Sequence, residues 1–142
     1  MEEKYLTILQ NSLDKINTSI KNVEYAKINW RTSAVLNCCG SAKNDLNEIL
    51  NELTSIINQL KTNAEQNKKT IDTLQGCIDK INLSIKNVEY AKNHLRTTAV
   101  ISCCSNAKND LTEVQKDLST IANQSTKDTN QNDGHEGEGP SL

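Results

Sequence analysis

The stretch Asp14–Ile49, DKINTSIKNVEYAKINWRTSAVLNCCGSAKNDLNEI, returns sixty-five residues later as Asp79–Val114, DKINLSIKNVEYAKNHLRTTAVISCCSNAKNDLTEV. Twenty-five of these 36 positions are identical. The match includes surface-type Lys, Asn and Glu as well as apolar residues, which marks a tandem duplication. Copy one spans 1–65 and copy two 66–124. A tail, 125–142, follows.

Within each copy the apolar residues step by three and four. Leu6, Leu9, Leu13, Ile16, Ile20 and Val23 are followed by Trp30 and Ala34; Ile71, Leu74, Ile78, Ile81, Ile85 and Val88 are followed by Leu95 and Ala99. That is a heptad seam of a coiled coil. A second seam follows each cysteine pair: Leu46, Ile49, Leu53, Ile56, Leu60, and then Leu111, Val114, Leu118, Ile121. Gly40 suits a left-handed helix stop, with Ser41 capping the next helix. Ser105 and Asn106 stand at the corresponding places in copy two. Lys61–Thr70 carries one apolar residue, Ala64, and the heptad register jumps across it. The pattern predicts helices over 3–38, 41–62, 69–103 and 106–124. Asp45/Glu48 and Asp110/Glu113 would then sit in first turns, complementing the helix dipole.

The fold expected is all-α: an antiparallel four-helix bundle of two tandem hairpins, because short links favour antiparallel neighbours. The alternative is an elongated coiled-coil rod in which 41–103 is one continuous helix and the molecule dimerises. Composition agrees with either. Aromatic residues are 3% of the chain and Phe is absent. Gly is scarce and Pro140 is the lone proline. A sandwich or barrel needs far more turn residues and aromatic or β-branched strands. The tail holds three of the five glycines, the proline and four acids, lacks periodicity and reads as disordered.

Charge excludes some functions. Sixteen basic and eighteen acidic residues are intermixed, with no basic run of the kind that neutralises phosphates. Nucleic acid is not an expected partner. No stretch reaches the ~18–20 apolar residues of a membrane span, and membrane contact is not expected. Met1-Glu2-Glu3-Lys4 has no signal-peptide character, so the default compartment is the cytoplasm, with a mature secreted chain as the alternative.

The chemistry-bearing residues are few. Cys38, Cys39, Cys103 and Cys104 would share one pole of the bundle, where they could form disulfides or, as a lesser alternative, a thiolate metal site. Buried thiols acting as small hydrophobes are the plain reading. Cys77 aligns with Ser12 and has no counterpart. Lys27 and Lys92 fall at a positions, where a long stem can carry its amine to the surface. Tyr25 and Tyr90 occupy the same place in both copies, at the core edge or on a repeated contact surface. His94 and His135 have no carboxylate at a suggestive spacing, and no phosphate loop, zincin motif or nucleophile elbow occurs. No catalytic residue and no cofactor are assigned. The function expected is that of a non-enzymatic helical scaffold, meeting a protein partner or itself through helical faces. Amphipathic-helix lipid binding and thiol-based metal or redox binding are the alternatives.

Overall fold

The computed structural model describes residues 1–134, with side chains through Ser125. Among the described residues there are four long helices and no strand: α1 (Glu3–Asn29), α2 (Thr32–Leu60), α3 (Lys68–Asn93) and α4 (Thr97–Gly134). Each helix packs along two others, α1 on α2 and α4, and α3 on α2 and α4; the pairs α1/α3 and α2/α4 make no comparable contact. This is a helical bundle with two diagonals.

The breaks between helices lie elsewhere than at the cysteine pairs. α1 ends at Asn29 and α2 begins at Thr32, so Gly40 is an interior residue of α2 and not a helix stop. The reason is a longer seam. Val35, Cys39, Ala42, Leu46, Ile49, Leu53, Ile56 and Leu60 are all buried, in steps of four and three. A glycine inside a helix costs about 1 kcal/mol relative to alanine. Each large side chain of this seam contributes about 1.5–3 kcal/mol on burial, so the helix continues. The same holds for Val100, Cys104, Ala107, Leu111, Val114, Leu118 and Ile121 in α4. Asp45, Glu48, Asp110 and Glu113 are therefore mid-helix residues. Glu48 lies 3.2 Å from Lys15, and Glu113 lies 3.4 Å from Lys80.

Two buried clusters form the core. One is rich in Leu and Ile and includes Leu9, Ile16, Leu46, Leu53, Leu74, Ile81, Leu111 and Leu118. The other is made of small side chains: Val23, Ala26, Val35, Cys39 and Ala42 with their repeat equivalents Val88, Ala91, Val100, Cys104 and Ala107. Cross-links between helices follow the repeat. Tyr5 donates to Gln59 at 3.3 Å and Ser12 to Glu52 at 2.8 Å, while Lys15 also pairs with Glu52. Lys43 reaches Glu89 and Lys108 reaches Glu24, both at 3.0 Å, so each copy lends a lysine to the other.

The continuous central helix of the rod does not occur. After Leu60 a single 3₁₀ turn, Lys61–Asn63, and a turn through Asn67 separate α2 from α3. Thr62 caps the Gln59 carbonyl at 2.8 Å, and Asn67 Nδ2 donates to the Leu60 carbonyl at 3.1 Å. These side chains take over carbonyls that the ending helix leaves free. α4 runs past 124, the boundary expected of the body, to Gly134. The remainder of the acidic tail, 135–142, lies outside the described residues.

Candidate functional site

Most of the exposed large apolar side chains lie in and beside the two short segments that join α1 to α2 and α3 to α4. At the first turn Trp30 takes a left-handed backbone conformation, φ 34°, and its N–H donates to the Ala26 carbonyl at 2.7 Å. Trp30 is the one non-glycine residue with positive φ among the described residues. A bulky side chain there costs about 1–2 kcal/mol. Arg31 is extended, and α2 starts after it. At the second turn the Arg96 N–H donates to the His94 carbonyl at 2.6 Å. The His94 ring stacks on Tyr90 with centroids 3.8 Å apart.

Among the described residues, eight large hydrophobic side chains are exposed: Tyr25, Ile28, Trp30, Leu36, Leu83, Tyr90, Leu95 and Ile101. All but Leu83 lie in 25–36 or 90–101. Six of them form repeat-related pairs, Tyr25/Tyr90, Trp30/Leu95 and Leu36/Ile101. Tyr25 is 56% exposed, Trp30 51% and Tyr90 50%, so neither tyrosine lines the core. The charges in these segments have one sign. Lys27, Arg31, Lys92 and Arg96 are present, and no Asp or Glu occurs in 25–41 or 90–106. A cleft of about 370 Å³, lined by Tyr90, His94, Arg96, Ser102 and Cys103 among others, opens beside the second turn. A second cleft of about 460 Å³ is lined by Lys69, Asp117, Asn67 and Gln124 beside Met1, Leu60 and Ile121, among others.

Behind the turns lies a layer of thiols. Cys39 and Cys104 are fully buried on the diagonal helices α2 and α4; Cys38 and Cys103 are half-buried against the same cluster. Cys39 and Cys104 belong to one buried cluster with Cys38 and Cys103 packed against it, and all four lie within α2 and α4, not at the ends of the first and third helices. All five cysteines are free. A hydrogen bond with Cys104 and then burial push the Cys39 thiol up. The same bond pulls Cys104 down, against burial, with help from the Lys27 charge. Lys92 acts on Cys39 in the same sense. Lys27 and Lys92 are both only partly exposed. Burial, reinforced by the Cys104 charge, also raises Cys38 and Cys103. Among the described residues no group of three or more His, Cys, Asp or Glu side chains is arranged to hold a metal ion.

Ile28, Trp30, Leu36, Leu95 and Ile101 were not legible as surface residues. Once Ala and Cys count as core residues, Ile28, Leu36 and Ile101 fall off the seam; Trp30 and Leu95 continue it in step after Ala26 and Ala91, and are exposed because α1 and α3 end before them. No protein-family profile matches the chain, and neither a curated protein nor a solved structure resembles it.

Proposed function

We propose that this chain is a non-enzymatic interaction module, an antiparallel bundle of two tandem hairpins that docks through the end bearing both hairpin turns. One observation carries the reading: exposed Tyr25/Tyr90, Trp30/Leu95 and Leu36/Ile101 recur as pairs in and beside the two turns. Contiguous exposed apolar surface on a water-soluble domain marks an interaction site. The residue pairing supports the antiparallel arrangement. Tyr5, Ser12 and Lys15 of α1 meet Gln59, Glu52 and Glu48 of α2 in descending order. The strained Trp30 backbone agrees with a docking role, since strain of this kind persists where function requires it.

Site-specific photocrosslinking tests the reading. A benzoylphenylalanine at position 25 or 90 should give discrete adducts with a target. The same group at Asp14 or Asp79, exposed on the helix flanks, should give none. Equal adduct formation at all four positions would contradict docking through the turns.

A further inference from the structure

We infer that the surface this end docks on is the anionic face of a lipid bilayer. The inference rests on the docking reading above and names its target. It is peripheral contact: no helix among the described residues is long and apolar enough to cross a membrane.

Three features of the turns point to lipid together. The first is projection. Ile28 is 64% exposed and Trp30 51%, so these side chains stand out from the bundle instead of lining a groove that would receive a partner helix. The second is composition. Trp30, Tyr25 and Tyr90 pair an apolar ring with a polar N–H or O–H, the kind of side chain that gathers at the boundary of hydrocarbon and headgroups. The third is charge. Arg31 and Arg96, both exposed, share the two segments with those rings and no acid falls within either segment; Lys27 and Lys92 are half-buried, and Lys92 lies 3.8 Å from Glu89. Juxtaposed cations attract anionic headgroups, and the attraction fades within a Debye length. An apolar tip flanked by cations therefore has complementary surroundings at each depth: hydrocarbon for Ile28, Trp30 and Leu95, phosphates for the arginines. Trp30 and Leu95 stand at the same repeat position, so both turns would enter together. Two shallow insertions on one rigid body bind more tightly than either alone.

Trp30 is the single tryptophan of the chain and reports its own environment. The experiment uses the full-length reduced protein with phosphatidylcholine vesicles containing 30% phosphatidylserine, and with phosphatidylcholine vesicles alone. The inference predicts a blue shift of Trp30 emission and co-flotation with the anionic vesicles only, both weakened by 0.5 M salt. Arg31→Gln with Arg96→Gln should weaken binding about fivefold for each cation removed, roughly 25-fold together. Leu95→Ser, which leaves the reporter in place, should also weaken it. All three positions are exposed, so folding is not at stake. No shift and no co-flotation with anionic vesicles would overturn the inference, as would equal binding to both vesicle types. Protein adducts from positions 25 and 90 without vesicle binding would leave the docking reading standing and replace lipid by a protein target.

Discussion

Cys39 and Cys104 stand sixty-five residues apart, at the same place in the two copies, and are buried in one cluster from the diagonal helices α2 and α4. Each is fully buried. Two thiols in one buried cluster ionise together at great cost, so the pair gives up its first proton more readily than its second. A peroxide can take two electrons from such a pair: a thiolate becomes a sulfenic acid with release of hydroxide, and the second thiol displaces water to close the disulfide. Mild peroxide treatment of dilute protein is expected to yield a 39–104 bridge within one chain. Closing that loop would stabilise the fold by about 4 kcal/mol if strain is small. Non-reducing peptide mapping reads the outcome. Bridges only between chains, or bridges through Cys77, would contradict this shared placement.

Cys77 offers an internal comparison. Its equivalent, Ser12, donates to Glu52 at 2.8 Å, whereas the Cys77 sulfur lies 4.0 Å from Asp117. Burial first, and the Asp117 charge second, push this thiol from an ordinary 9.0 up to about 12. The folded state therefore holds its proton where the unfolded chain loses it. Stability is present in full below pH 9 and falls between about 9 and 12, with a slope approaching 1.4 kcal/mol per pH unit. Cys77→Ser should remove this contribution and restore the bond seen in copy one. Denaturant midpoints at pH 8 and pH 10.5 check it; an alkaline loss unchanged in the serine variant would refute the assignment.

Ser19 and Ser84 are another repeat pair. Their hydroxyls are buried without a hydrogen-bond partner among the described residues. An unpaired buried hydroxyl costs roughly 1–3 kcal/mol by mutational measures, and alanine is the better helix former. Ser19→Ala and Ser84→Ala are each expected to stabilise the fold by about 0.5–1.5 kcal/mol. Urea unfolding measures this, and a loss of stability would show that the hydroxyls are satisfied.

Trp30→Gly should separate stability from docking. Glycine adopts positive φ freely, so relief of the left-handed strain outweighs the entropy that glycine adds to the unfolded chain. The expected gain is about 0.5–1 kcal/mol. Docking should weaken at the same time. A variant that is less stable than the parent would mean that the exposed ring is held by packing.

Much of the fold was legible because it rests on periodicity. The duplication, the four-helix count, the turn after Leu60 and most of the Leu and Ile core follow from spacing alone. The first hairpin turn was not legible. It falls at a tryptophan that no propensity scale would place in a left-handed turn, while Gly40, the obvious stop, is absorbed by a seam running through Cys39 and Ala42. Small residues hid that seam. The error moved the cysteine pairs from the interiors of α2 and α4 to helix ends, and it concealed the surface that the true turns expose. Tyr25 and Tyr90 were visible as a repeated pair, but their exposure depends on how α1 and α3 rotate against their neighbours, which heptad spacing alone left ambiguous between two adjacent faces.

The central claim is that both hairpin turns lie at one end of an antiparallel bundle. Spin labels carried by noncanonical amino acids at Ile28 and Asn93, which are repeat-related and exposed, leave the cysteines untouched. α1 and α3 are diagonal, and adjacent helix axes are about 8–10 Å apart, so the bundle predicts a single label-to-label distance of roughly 20–30 Å by pulsed dipolar spectroscopy. A rod with a continuous central helix would hold the two turns about 90 Å apart. A distribution with nothing below ~60 Å, about two-thirds of that helical rise, would contradict the bundle and every function assigned to its shared end.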